Sequence, residues 1–158
     1  MKESKTNVMR ILEQKKIPYT ALEYPHGDGY VDGVTVAELT GRDSAAVFKT
    51  LVTVGASRQH YVFDIPAARE LDLKKAARAV GEKSVAMVHV SEITPLTGYV
   101  RGGCSPVGMK KQFKTVFDAS VNALESVCVS GGRIGTQVEL APAALLALTG
   151  ASTADLTI

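Results

Sequence analysis

The stretch Thr97–Lys111, TGYVRGGCSPVGMKK, holds the residue types with the most chemical reach in this chain. Its Gly102–Gly103 pair lets main chain approach a ligand closely and take up φ > 0. Tyr99 offers a ring for stacking and a hydroxyl for hydrogen bonding. Arg101, Lys110 and Lys111 place positive charge on either side. The backbone amides of such a loop can cradle a sugar–phosphate end. Taken alone, the plainer reading is a glycine-rich turn between two strands.

Two further pieces bear on that choice. Gly131–Gly132–Arg133–Ile134–Gly135 is a second glycine loop, in which Arg133 could equally be a surface turn residue. Lys49 stands in the apolar run Val47–Val52. Alone it reads as a strand-end lysine reaching solvent; beside the loops it would be a fixed cation aimed at an anion. Together they would give a site of backbone donors and acceptors with one ammonium, and no Ser–His–Asp set or carboxylate pair. Such a site can bind, or can hydrolyse only an activated substrate, such as an ester with a sugar-hydroxyl leaving group.

Other chemistries are less well supported. His26, His60, His89, Cys104 and Cys128 are scattered, with no metal-ligand spacing, so no metal and no cofactor are expected. Cys104 lies near Arg101, but no histidine is close in sequence to act as base, so it reads as a small loop filler. The glycine stretches match neither the P-loop order nor a dinucleotide fingerprint.

The chain of 158 residues predicts one domain, 1–158, with a sizeable core. Its net charge of +2 argues against a DNA-coating protein, but leaves room for a local basic face toward RNA. The absence of tryptophan and the sparse aromatics argue against a base-stacking sheet. No apolar run is long enough for a membrane span. The polar N-terminus lacks a signal-type core, which predicts a cytoplasmic protein with no membrane or DNA partner.

The elements that must position these residues are short. Helices are predicted at Lys5–Lys15, from a capping box at Thr35–Glu38 to Gly41, in one turn from Asp43 to Phe48, at Leu71–Val80, from Ser91 to a stop at Pro95, and from Pro142 to Gly150. In the 71–80 helix, Leu73, Ala76, Ala77 and Val80 should face inward. Strands are predicted at Pro18–Tyr24, Lys49–Val54, His60–Ile65, Ser84–Val88, Thr115–Phe117, Val127–Ser130 and Gln137–Leu140, with an edge strand in the tail Asp155–Ile158. His26–Gly33, with three glycines and two aspartates, is a loop around Tyr30. The lack of regular βαβ spacing predicts a mixed α/β fold: a mixed sheet or partly closed barrel surrounded by short helices.

Phe48–Val52, Leu71–Ala77, Thr97–Pro106 and Val129–Arg133, in that order and spacing, resemble the YbaK/EbsC-type aminoacyl-tRNA deacylases. That family is related to the editing domain of prolyl-tRNA synthetases. The resemblance implies a trans-editing enzyme that hydrolyses the ester between a wrong amino acid and the tRNA 3′ end. The family's lysine maps onto Lys49, beside the terminal adenosine, with Thr50 next to it. Pocket aromatics map onto Tyr24 and Tyr30. Tyr99, Gly102 and Gly103 fall on the glycine-loop side, where a Gly102 carbonyl would orient the aminoacyl group. Ser130 and Gly132 map onto the second loop. Two positions depart from some members: Gln137 stands for an aspartate, and Arg133–Ile134 for Lys-Arg. An amide cannot shuttle a proton, so Gln137 is left with a positioning hydrogen bond.

For cysteine-specific members the implied mechanism needs no protein nucleophile. The substrate thiol attacks its own carbonyl and expels the ribose hydroxyl as a thiolactone forms, with proximity supplying much of the rate. The expected function is deacylation of Cys-tRNA(Pro). An Ala-tRNA(Pro) deacylase using water, and a non-catalytic module that grips tRNA or a synthetase, are the alternatives. Partners implied are the aminoacyl-tRNA 3′ end and prolyl-tRNA synthetase. Lys74, Lys75 and Arg78, and Lys110, Lys111 and Lys114, are candidate phosphate contacts or solvated faces.

Overall fold

The computed structural model describes residues 4–27 and 29–158. Residues 1–3, part of the polar N-terminal reading, and Asp28, within the predicted 26–33 loop, lie outside the described residues. Eight strands form two sheets among the described residues, with short helices around them. The mixed α/β expectation holds, with two sheets in place of one.

The smaller sheet has the order β1–β7–β6, from Tyr19–Glu23 (β1), Thr136–Leu140 (β7) and Val127–Ser130 (β6), all antiparallel. The larger sheet has the order β4–β2–β3–β5–β8. Its strands are Val85–Met87 (β4), Phe48–Gly55 (β2), His60–Pro66 (β3), Lys114–Asp118 (β5) and Ser152–Ala154 (β8). β4, β2 and β3 run antiparallel, whereas β3–β5 and β5–β8 are parallel. An isolated parallel bridge, Val47 to Cys128, joins the two sheets.

Two apolar clusters hold the layers together. One gathers Val8 and Leu12 of helix α1 (Asn7–Gln14) with Val127, Val129 and Val138 of the small sheet and Leu145 of helix α5 (Pro142–Thr149). Phe48 and Phe117 reach into it from the large sheet, stacked with ring centroids 6.0 Å apart. The other packs Phe63, Ile65 and Val116 under Ala76 and Ala77 of helix α3 (Leu73–Val80). Removing such apolar faces from water is the main stabilising term.

Several boundaries differ from expectation for local reasons. Helix α2 (Gly33–Thr40) is capped by Asp32, whose carboxylate accepts from Thr35 N and Thr35 Oγ1 at 3.0 and 2.8 Å. Thr35 is therefore the donor to a cap and not the cap itself. The Asp43 turn is a single 3₁₀ turn, Ser44–Ala46, because β2 begins at Phe48. Leu73 is exposed: α3 starts there, and Leu71, just before it, takes the place against the core. Helix α4 (Val90–Thr97) is entered from His89 and runs through Pro95, which forfeits one bond, to Gly98 in the left-handed conformation. The edge strand near the C-terminus falls at Ser152–Ala154; Thr157 instead forms a bridge to Leu71.

Candidate functional site

β2 lends one of its edges to the site. Its pairing with β4 covers only Thr53–Gly55, so among the described residues no strand is paired from Phe48 to Val52 along that side, the Val47–Cys128 bridge lying just before. Val88 N bonds Val52 O at 3.2 Å and Ala56 N bonds Ser84 O at 3.0 Å, so even-numbered residues direct their peptide groups toward β4. By the alternation of an antiparallel ladder, the N–H and C=O of Thr50 face the same way, into open space.

That space is a cavity of about 360 Å³. Residues 47–52 form one wall; Met87, Val88, Val90 and Ile93 form an apolar second wall. Arg101, Gly102 and Cys104 come from the glycine loop, Ser130 and Gln137 from the ends of β6 and β7, and Tyr24, Tyr30 and Val31 from the segment after β1. The size and the mix of apolar lining with a few polar groups suit a small-molecule end.

The two glycine loops meet. A Cβ on Gly103 would lie 2.9 Å from Arg133 Cα, and one on Gly132 would touch the Tyr99 ring at 3.4 Å. Arg133 ties the second loop down, donating to Thr136 Oγ1 at 3.0 Å and to the Ser4 carbonyl at 2.6 Å. Tyr99 donates its hydroxyl to the Val107 carbonyl at 2.5 Å and packs its ring with the core. Thus Lys49, Gly102, Tyr24, Tyr30, Thr50, Ser130 and Gln137 share the cavity wall. Tyr99, Gly103 and Gly132 are not part of it; they hold the loops together behind it.

The electrostatics are one-sided. Lys49 and Arg101 line the cavity, and among the described residues no carboxylate does. Lys49 is half-buried and makes no hydrogen bond or ion pair among the described residues. Arg101 lies over the Tyr30 ring, its guanidinium carbon 4.3 Å from the centroid, a cation–π contact at the mouth. Burial raises the Tyr24 phenol above its ordinary range. Gln137 is 6% exposed and its Oε1 has no partner among the described residues, so a buried acceptor waits in the wall.

No protein nucleophile is armed. Burial, and then the nearby Asp64, push the Cys104 thiol up to about 12. Ser130 Oγ accepts from Gly132 N at 3.2 Å, and no histidine lines the cavity. Among the described residues, no group of three His, Cys, Asp or Glu is placed to hold a metal ion.

Sequence reading missed two parts of this wall and one group behind it. Met87, Val90 and Ile93 carry no motif, and only the fold brings them here. The open edge of β2 depends on β4 being short. Asp64, directly behind Thr50, had one signal: a lone acid inside the apolar strand Tyr61–Pro66.

A mixed two-sheet fold with an electropositive cavity, walled by one edge of β2 and by the first glycine loop, defines a domain built to hold the end of a ligand. Residues 32–148 match the model of the aminoacyl-tRNA editing domain, and the chain belongs to that family. It is 45% identical over 155 residues to an inferred Cys-tRNA(Pro)/Cys-tRNA(Cys) deacylase, EbsC, of Enterococcus faecalis, covering 98% of this chain and 94% of that protein. A solved structure described as an inferred trans-editing enzyme for prolyl tRNA synthetase superposes with a TM-score of 0.83 at 28% identity, covering 99% of each chain. The hypothetical protein APE2540 superposes at 0.86 with 24% identity, covering 97% of this chain and all of that one, and shows the fold alone. Among the described residues, no helix is long and apolar enough to cross a membrane.

Proposed function

We propose that this chain deacylates mischarged Cys-tRNA(Pro), cleaving the ester at the 3′ end of the tRNA. The observation that carries this reading is a cavity with two cations, an open strand edge and, among the described residues, no armed nucleophile. Such a site suits a substrate that brings its own attacking atom. The substrate sulfur would attack the carbonyl carbon while main-chain N–H groups and the Lys49 ammonium meet the developing negative charge. The ribose oxygen leaves with a proton, and a thiolactone is released.

Within this reading Lys49 and Gly102 act at the reacting ester. Tyr24, Tyr30, Thr50, Ser130 and Gln137 bound the aminoacyl-adenosine end, and Arg101 faces phosphate at the mouth. Lys110, Lys111 and Lys114 are exposed and available to tRNA phosphates. Lys75 is committed elsewhere, donating to Asp155 and to the Thr157 carbonyl at 3.0 and 2.7 Å. Support from prolyl-tRNA synthetase in selecting the tRNA is part of the same proposal.

The test is release of label from tRNA(Pro) charged with Cys, Ser, Ala or Pro, by the native chain and by Lys49→Ala. Rapid loss of Cys alone, abolished by Lys49→Ala, is expected. Equal rates for Ser and Cys would remove the substrate thiol from the mechanism; loss of Ala at the Cys rate would point to water. Binding of all four with no turnover would leave a tRNA-gripping module.

A further inference from the structure

Asp64 has no task in the function proposed above, yet it stands at the cavity wall. It pairs with Thr50 across β2 and β3, on the face that also packs Val62 against Cys104 and the 97–111 loop. It is fully buried. One carboxyl oxygen and Thr50 Oγ1 share a hydrogen bond of 2.5 Å; the other, Oδ2, has no partner among the described residues. Thr50 lines the cavity and Asp64 does not, so the threonine hydroxyl is the link between them.

A fully buried carboxylate with a single neutral hydrogen bond is costly, and the cost falls if the group keeps its proton. A protonated carboxyl is a donor, where a carboxylate only accepts. The direction of the Thr50 hydrogen bond therefore depends on which form is present. If Asp64 donates, the Thr50 proton is freed to turn elsewhere, and the cavity is the open side.

We propose that Asp64 is a positioning residue: its carboxyl O–H donates to Thr50 Oγ1 and turns the Thr50 hydroxyl proton into the cavity, to hydrogen-bond an oxygen of the bound ester. This rests on the deacylase reading for the identity of the ligand. The oxygen served is the carbonyl or the leaving ribose oxygen, both of which gain charge as the ester breaks.

The surroundings favour the neutral form. Burial pushes Asp64 up to about 8, and only Thr50 opposes it. Cys104, the titratable group facing it from the 97–111 loop, is held as a thiol by its own burial. Tyr99 of the same loop is likewise pushed up to about 12. On its other side, β5 presents Phe117 in register. As pH rises through about 8, Asp64 ionises, claims the Thr50 proton, and withdraws the donor from the cavity.

The experiment is single-turnover deacylation of Cys-tRNA(Pro) from about pH 6.5 to 9.5, by native chain and Asp64→Asn, with the buffer rate subtracted. The Asn amide donates to Thr50 at every pH. The substrate's own titration is common to both, so the ratio of rates isolates the residue. The Asp64→Asn to native ratio is expected to rise about tenfold from pH 7 to pH 9, because about a tenth of Asp64 stays neutral at pH 9. A flat ratio overturns the proposal.

Should Asp64→Asn fail to fold, Thr50→Val and Thr50→Ser carry the same test. Thr50→Ser should keep the native pH profile. The native advantage over Thr50→Val should shrink about tenfold from pH 7 to pH 9, and an advantage constant with pH overturns the proposal. Absence of turnover in the native chain at every pH would sink the deacylase reading instead. The orientation of Thr50 is then read from affinity for a non-hydrolysable aminoacyl-adenosine amide. That affinity should weaken several-fold between pH 7 and 9 in the native chain but not in Asp64→Asn, and equal behaviour overturns the proposal.

Discussion

The Tyr30 ring rests directly on the main chain of Gly102: a Cβ at position 102 would come within 2.9 Å of Tyr30 Cδ2. Gly102 also holds φ at +86°, a conformation that L residues adopt at a cost of roughly 1–2 kcal/mol. The contact joins the 26–33 segment to the glycine loop, and Arg101 over the same ring adds a second tie. The cavity mouth is therefore shaped by the absence of one methyl group.

Gly102→Ala should accordingly lower stability by about 1–2 kcal/mol, a few degrees in Tm for a chain of this size. It should also lower deacylation by tenfold or more, because Tyr30 must move off the cavity rim. Thermal unfolding and kcat/KM measured on one preparation separate the two effects. A variant as active as the native chain would show that this contact does not shape the site.

Gln137 predicts an opposition between stability and activity. Its buried Oε1 lacks a partner, and an orphaned buried acceptor costs about 1–3 kcal/mol. Gln137→Leu removes that cost while filling similar space, so urea unfolding should show an unchanged or raised midpoint. Deacylation should fall through a higher KM, since the ligand loses an acceptor. Lost stability with unchanged KM would mean that the amide serves the fold and not the ligand.

Much of this arrangement was legible because the punctuation is local. Pro142 and Gly150 bound α5 at the expected residues, and Val127–Ser130 reads as a strand from its branched residues alone. Lys49 and the Gly102–Gly103 pair stand out in the sequence itself, whereas Ser130 is reached only through the family resemblance. Asp32 as a cap was hidden by the stronger-looking Thr35–Glu38 spacing, and Pro95 inside α4 by the general rule that proline stops a helix. The role of Gly132 as packing behind the site depends on a partner distant in sequence, Val8, whereas Tyr99 is turned away from the cavity by a bond within its own loop, to Val107. So does the open edge of β2, which exists only because β4 pairs with three of its residues.

Both thiols should be slow to react. Burial comes first in raising Cys104 and Cys128, each to about 12, with Asp64 and Glu139 adding to it respectively. The reactive species is the thiolate, scarce at pH 8 for such groups. A disulfide reagent should label the folded chain on the order of 100-fold more slowly than the chain in concentrated urea. Rapid labelling of Cys104 in the folded state would revive it as a nucleophile.

The last prediction concerns the clamp that holds one side of the cavity. Arg42, just past the end of α2, donates from Nε to Glu139 Oε2 at 2.7 Å and from Nη2 to Glu139 Oε1 at 3.0 Å. α2 contributes Gly33 and Val36 to the cavity and β7 contributes Gln137, so this two-pronged bridge fixes their spacing. Arg42 is the chief cause holding the Glu139 carboxyl below its ordinary range. A lowered carboxylate pKa contributes stability above the unfolded value, near 4.5, and loses it as pH falls through the folded one. The pair is partly exposed, so solvent screening keeps its contribution small. Arg42→Met should therefore be modestly destabilised near pH 7, and the gap should narrow as pH falls below the unfolded value near 4.5 and Glu139 takes up a proton. Urea unfolding of both chains at about pH 7 and pH 3 decides it; a penalty unchanged at the lower pH would assign the loss to packing of the arginine stem and not to its charge.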